Sequence, residues 1–223
     1  MDVILVADYW PTNAHLMTEA VFPTLRAAGL WNDDTSTLLD PTFGRGLWWG
    51  DESRRRKKFY RPTHLTYRTR REDPTFDYQS LPWNRDSFDV VAYDPPYAVK
   101  GGVETSGIKD MDDRYGMNDV KHPDDLLRMN EDGLVECIRV ARKAVLLKSM
   151  NFVSGGVLQC HTDALVSLAR DLDWVVYEQF THLNRGRPQP PGRRQLRGRQ
   201  RPSTLTILVP FKLRRGKPGK CVK

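Results

Sequence analysis

The chain has 223 residues, 39% of them hydrophobic, with 35 lysines and arginines against 28 aspartates and glutamates for a net charge of +7. That suits one large domain with a real core, and no apolar run is long enough to span a bilayer. The start, "MDVILVADYW", lacks the basic segment and small-residue cleavage site of a secretory signal, so the reading is a soluble, cytoplasmic protein.

Residues 12 to 29 carry Leu16, Met17, Ala20, Val21, Leu25 and Ala28 at helical spacing. Pro23 should kink that helix and Gly29 should stop it. "TSTLLDPTFGRG" (35–46) reads as a short buried strand and a glycine turn. "THLTYRT" (63–69) and "FDVVAY" (88–93) are strands, the latter fully buried. Then come a helix over 123–143, a strand over 144–150, a helix over 155–172, and strands over 173–183 and 203–213. Strands alternating with helices give an α/β domain on a largely parallel sheet. No helix separates the last two strands, so they should pair antiparallel at a sheet edge. The stretches 99–121, 185–201 and 214–223 are expected to be irregular.

Cys137, Cys160 and Cys221 are widely spaced, and no Cys-x-x-Cys pair exists. The five histidines are scattered, so neither a metal site nor a redox dithiol is suggested. The basic residues are clustered. "ESRRRKKFYRP" (52–62) is one block, the tail "KLRRGKPGKCVK" another. "RGRPQPPGRRQLRGRQR" (185–201) holds Arg185, Arg187, Arg193, Arg194, Arg197, Arg199 and Arg201. Three such runs on one domain favour a polyanion, most simply nucleic acid. The bland alternative is a set of solvated loops.

Two motifs carry the chemistry. In "LLDPTFGRG" a strand delivers Asp40, and Gly44 and Gly46 let the backbone approach a ligand. Ligands in doubly wound sheets bind beyond the carboxyl ends of strands. Alone, a G-x-G is more often an ordinary turn. Trp49 stands where a dinucleotide fingerprint has its third glycine, which argues against a pyrophosphate there. In "AYDPPY", Asp94 also ends a strand. Pro95 and Pro96 stiffen the turn, so that the Asp94 carboxylate and the Pro95 carbonyl can accept the two hydrogens of an exocyclic amino group. Tyr97 offers a face for stacking a base. A base read this way has left its duplex. The alternative is a strand-ending turn with a solvated acid.

Together these residues resemble the S-adenosylmethionine-dependent amino-methyltransferases that act on nucleic acid. "LLDPTFGRG" resembles their cofactor loop, and "DYQSLPWNRDSFDVVAYDPPY" resembles their run from third strand to catalytic tetrapeptide. The start "DYWPTNAHL" and the end "LNRGRPQPPGRRQLRGRQRPSTLTILVPFK" resemble small methylase-like proteins of actinobacterial phages. The resemblance spans roughly residues 8 to 213. It implies a doubly wound, Rossmann-like class I methyltransferase domain over 1–213, with a mostly parallel seven-stranded sheet and an antiparallel C-terminal hairpin. It implies S-adenosylmethionine as cofactor, held by Asp40, Pro41, Thr42, Phe43, Gly44, Gly46, Asp77, Tyr78 and Trp10. Catalysis falls to Asp94, Pro95, Pro96 and Tyr97. Residues 99–121 would form a mobile lid, and 185–201 a phosphate-gripping loop, with Lys148 as a further phosphate contact or a solvated lysine. Trp48 and Trp49 read as core or helix packing rather than base-stackers, and for Trp10 a core role stands level with the cofactor pocket.

One departure stands out. The family has an acid ending the second strand, against the cofactor ribose; here Thr69 takes that place, with Glu72 or Asp73 as substitutes. Loss of a charged acceptor there costs on the order of 1.5–3 kcal/mol. DNA adenine N6 is the favoured target, cytosine N4 the second. An RNA base methyltransferase and a catalytically silent nucleic-acid binder are the alternatives.

Overall fold

The computed structural model describes residues 10–50, 59–97, 113–117, 120–182 and 202–214. The Arg-rich loop, most of the expected lid and most of the basic tail lie outside these residues, as does most of the 52–62 block.

The chain opens on α1 (Asn13–Leu16), a π turn (Met17–Val21) and α2 (Phe22–Ala27). Pro23 explains the π turn. It lacks an N–H and crowds the turn before it, and the widened turn absorbs the mismatch, with Phe22 N–H bonding Met17 O. Gly29 then leaves the helix at φ +69°. The strands β1 (Leu38–Asp40), β2 (Leu65–Tyr67) and β3 (Phe88–Tyr93) follow. After them come α3 (Pro123–Val140), β4 (Ala141–Met150), a hairpin of β5 (Phe152–Ser154) and β6 (Val157–Gln159), α4 (His161–Asp171), β7 (Trp174–His182), β8 (Ser203–Pro210) and α5 (Phe211–Arg214).

The main sheet runs β2-β1-β3-β4-β8-β7. The first four strands are parallel, and β8 lies antiparallel between β4 and β7. Helices cover both faces. Tyr93, Val91, Val145 and Leu147 pack with α3 and α4, whereas Val90, Ala92, Leu146 and Ile207 pack with the N-terminal helices. A strand buried on both faces reads as a continuous apolar run, and every residue of Phe88–Tyr93 is buried.

Two expectations are corrected. The sheet has six strands among the described residues, not seven, because the expected third strand is a chain of turns. Thr69 O accepts from the amides of Glu72 and Asp73, Asp73 from Phe76, and Asp77 from Ser80. The Asp73 and Asp77 carboxylates bond the amides of Thr75 and Gln79 two residues on, the local competition that draws aspartate out of strands. The helix expected from residue 155 begins at His161. Gly155 and Gly156 take φ +57° and +80°, two consecutive left-handed residues that make a tight hairpin turn rather than a helix. No helix among the described residues is long and apolar enough to cross a membrane.

Candidate active site

The strand order reverses between β1 and β3, and both deliver an acid at their carboxyl ends. A cleft of about 240 Å³ opens there, lined by Asn13, Asp40, Thr42, Phe43, Arg45, Leu47, Trp48, Asp94, Tyr97, Arg114 and Tyr115. The switch point of an open α/β sheet is where this architecture places ligands.

The two motifs are stitched together. The Thr42 hydroxyl accepts from the Asp94 amide at 2.8 Å, and the Thr42 amide donates to Asp40 Oδ1 at 3.1 Å. Gly44 and Gly46 take φ +56° and +66°, where a side chain would be strained. Pro41 and both prolines of the second motif are buried. Asn130, on the inner face of α3, donates Nδ2–H to Pro96 O at 2.8 Å and so holds the second turn.

Trp48 and Trp49 are core residues and more. The Trp48 indole N–H donates to Asp94 Oδ2 at 2.8 Å, and Trp49 donates to Asp40 Oδ2 at the same distance. A buried indole needs an acceptor, and these two find the two strand-end acids. That leaves Asp94 Oδ1 buried with no hydrogen-bond partner among the described residues. Burial raises the Asp94 pKa, partly offset by the charge of Lys148, the Trp48 bond and His182. Asp40 is pushed up to about 7, by burial first and against the Trp49 bond, with the like charge of Asp94 adding to the rise.

Tyr115 closes one side. Its hydroxyl donates to Thr42 O at 3.3 Å and lies 2.5 Å from where a Gly44 Cβ would sit. Lys148 is 3% exposed, so its ammonium does not face a phosphate. It donates to Asn13 Oδ1 at 3.0 Å and stands 5.8 Å from the Tyr97 ring centre.

Other expected residues fall elsewhere. Trp10 is buried in the core, 6.0 Å edge-on to Phe180, with its carbonyl 3.0 Å from His182 Nε2. Tyr78 is buried beside Tyr93, at 5.9 Å between ring centres, and its hydroxyl has no partner among the described residues. Asp77 bonds Gln79; neither it nor Tyr78 lines the cleft. Strand β2 ends at Tyr67, which stacks on Phe43 at 4.2 Å. Thr69 is buried and Asp73 bonds Thr75, so neither offers an acid to the cleft. The arginines from Arg185 to Arg199 lie outside the described residues, but the loop that carries them starts beyond His182 and returns at Ser203, at the same sheet edge as Asp94.

The residues missed from sequence are Asn13, Trp48, Trp49, Tyr115, Asn130 and His182. Only the tryptophans and Asn130 left a signal: two indole donors next to an acid, and an amide on the apolar stripe of α3.

No family model and no curated protein matches the sequence. Among solved structures, a SAM-dependent methyltransferase from Leishmania major is similar at 8% identity and a TM-score of 0.37, over 87% of this chain and 73% of that one. A likeness that loose carries no argument about what this chain does.

Proposed function

We propose that the protein transfers a methyl group from S-adenosylmethionine to an exocyclic amino nitrogen of a nucleic-acid base, with adenine N6 in DNA favoured and cytosine N4 second. The observation that supports it most is Asp94 Oδ1, a buried acceptor with no donor among the described residues, on a residue that lines the cleft with the aromatic Tyr97. A buried acceptor left unmade is costly, and an amino group supplies the missing donor.

The donor set suits the cofactor in part. Two buried carboxylates and the aromatic walls of Phe43 and Tyr97 suit a cation such as a sulfonium, and Arg45 and Arg114 at the cleft suit its carboxylate. The open volume is below the roughly 300–1,000 Å³ of small-molecule sites, so Tyr115 must give way. When bound, S-adenosylmethionine supplies an electrophilic methyl on sulfur. Asp94 accepts a hydrogen bond from the target amino group, drawing the nitrogen lone pair out of conjugation; bonds to an ionised acceptor are the stronger kind. They tighten as positive charge grows on nitrogen, which lowers the barrier selectively. The S–CH₃ bond would break as the N–CH₃ bond forms, its electron pair staying on the now neutral thioether sulfur, and the nitrogen would shed one proton to Asp94 or to water. Tyr97 holds the flipped base flat, and positioning contributes much of the rate. The Arg-rich loop grips flanking phosphates.

The test is Asp94→Ala. Transfer falls about 10²–10³-fold or more, while calorimetry shows cofactor affinity within a fewfold of wild type. Equal loss of both sinks the role. A silent nucleic-acid binder is the second reading, favoured by the Tyr115 hydroxyl on the glycine loop and the missing acid after β2; absent cofactor binding would select it.

A further inference from the structure

Four polar side chains form a row on one face of the sheet at its carboxyl edge. Asp94 follows β3, Lys148 lies near the end of β4, Ser203 opens β8 opposite Met150, and His182 closes β7 opposite Ser203. Strand alternation puts Lys148 on the same face as Leu146, under the N-terminal helices. Lys148, Ser203 and His182 are 3%, 0% and 4% exposed. Asp94 Oδ1, Ser203 Oγ and His182 Nδ1 have no hydrogen-bond partner among the described residues. Of the described lysines and arginines, Lys148 alone is buried.

A buried ammonium is costly unless it is paired. Yet among the described residues Lys148 donates one hydrogen bond, to the neutral Asn13 Oδ1 at 3.0 Å. It lies behind the cleft wall rather than in the lining, so it does not reach substrate. Its field falls on Asp94 and on His182.

We propose that Lys148 is a positioning residue, the counter-charge that keeps the buried Asp94 carboxylate ionised and ready to accept an amino group; the purpose, though not the electrostatics, rests on the transfer reading above. The other groups around Asp94 cannot do this. Asp40 at the end of β1 opposes ionisation by like charge. Trp48 gives one neutral hydrogen bond. Tyr97 and Tyr115 have raised pKa values and stay neutral. His182 on β7 is held low by burial and by Lys148 itself, and its Nε2–H is spent on Trp10 O. Arg45 and Arg114 line the cleft, and neither is among the charges that act on Asp94.

The test reads Asp94 directly, in the whole protein without substrate, from the carboxyl ¹³C shift of labelled aspartate, assigned with Asp94→Asn. The expected result is a wild-type Asp94 carboxyl signal of the ionised form at pH 7. In Lys148→Met its proton affinity rises about tenfold or more, and Lys148→Arg restores the wild-type midpoint. The acid limb of the transfer rate moves to higher pH in Lys148→Met and returns in Lys148→Arg. An unmoved Asp94 midpoint in a folded Lys148→Met overturns the proposal. If that variant does not fold, the wild type decides: Asp94 still protonated at pH 7 overturns it, ionised Asp94 supports it. A moved midpoint with no methyl transfer on any base keeps the Lys148–Asp94 coupling and removes the transfer reading instead.

Discussion

Asp89 and Asp94 stand at the two ends of one strand, Asp89 within β3 near its start and Asp94 just past its end. Burial pushes Asp89 up, but the Thr37 amide, Lys143 and Arg142 more than offset it, and its pKa is lowered. Its carboxylate accepts from Thr37 N at 3.0 Å and lies 3.1 Å from both Arg142 Nη1 and Lys143 Nζ. Asp94 is raised, holds one indole bond, and keeps an oxygen without a partner among the described residues. The amino edge of the sheet satisfies its acid; the carboxyl edge leaves its acid in need. A satisfied buried charge serves the fold, whereas an unsatisfied one costs stability and marks a place where a ligand completes the set.

The sharpest way to break that contrast is to neutralise each acid in turn. Asp94→Asn lowers transfer about 10²–10³-fold but lowers the melting temperature less than loss of Asp89 does, because Asp94 Oδ1 gives up no donor among the described residues and Lys148 keeps its bond to Asn13 Oδ1. A drop as large as that of Asp89→Ala would make Asp94 structural. Asp89→Ala does the reverse: it strands two cations and costs about 2–3 kcal/mol, discounted because Arg142 is half exposed. Chemical denaturation reads this, and activity per folded molecule stays unchanged.

Next in size is the pH dependence of stability. Asp89, depressed in the fold, contributes stability that is present above its unfolded pKa and lost as pH falls through the folded one. Asp40, raised to about 7, works the other way. Between its ordinary value of 3.8 and about 7 the folded state holds the extra proton, so stability falls as pH rises through that window. Asp40→Asn should flatten the neutral side of the profile and leave the acid side alone. A profile unchanged in both regions would contradict the assignment. The smallest effect concerns Tyr115. Tyr115→Ala clears the space over Gly44 and should tighten S-adenosylmethionine binding severalfold, because the open cleft no longer has to be selected. Weaker binding would make Tyr115 a cofactor contact.

The contrast also separates what was legible in sequence. Phe88–Tyr93 was readable because a strand buried on both faces is apolar throughout, and Leu38–Asp40 and the final antiparallel pair followed from similar runs. The six-residue delay in the start of α4 was missed because "VLQC" fits a helix face as well as a hairpin arm; only the Gly155–Gly156 pair pointed otherwise. The expected third strand is absent among the described residues because side-chain-to-amide bonds at Asp73 and Asp77 turn the chain there, local chemistry that a likeness of motifs ignores. At the site, Asp40 and Asp94 could be named from strand ends. Their indole partners, the Asn130 brace and the buried Lys148 depend on contacts between distant segments, which periodicity does not record.

The most direct test is methyl transfer itself. The protein is incubated with methyl-labelled S-adenosylmethionine and, separately, duplex DNA and RNA, with Asp94→Ala as control, and the digested nucleosides are identified by mass. Labelled N6-methyladenine from DNA, absent in the control, is the expected result. No labelled base from either nucleic acid, with no cofactor bound at equilibrium, would contradict the account.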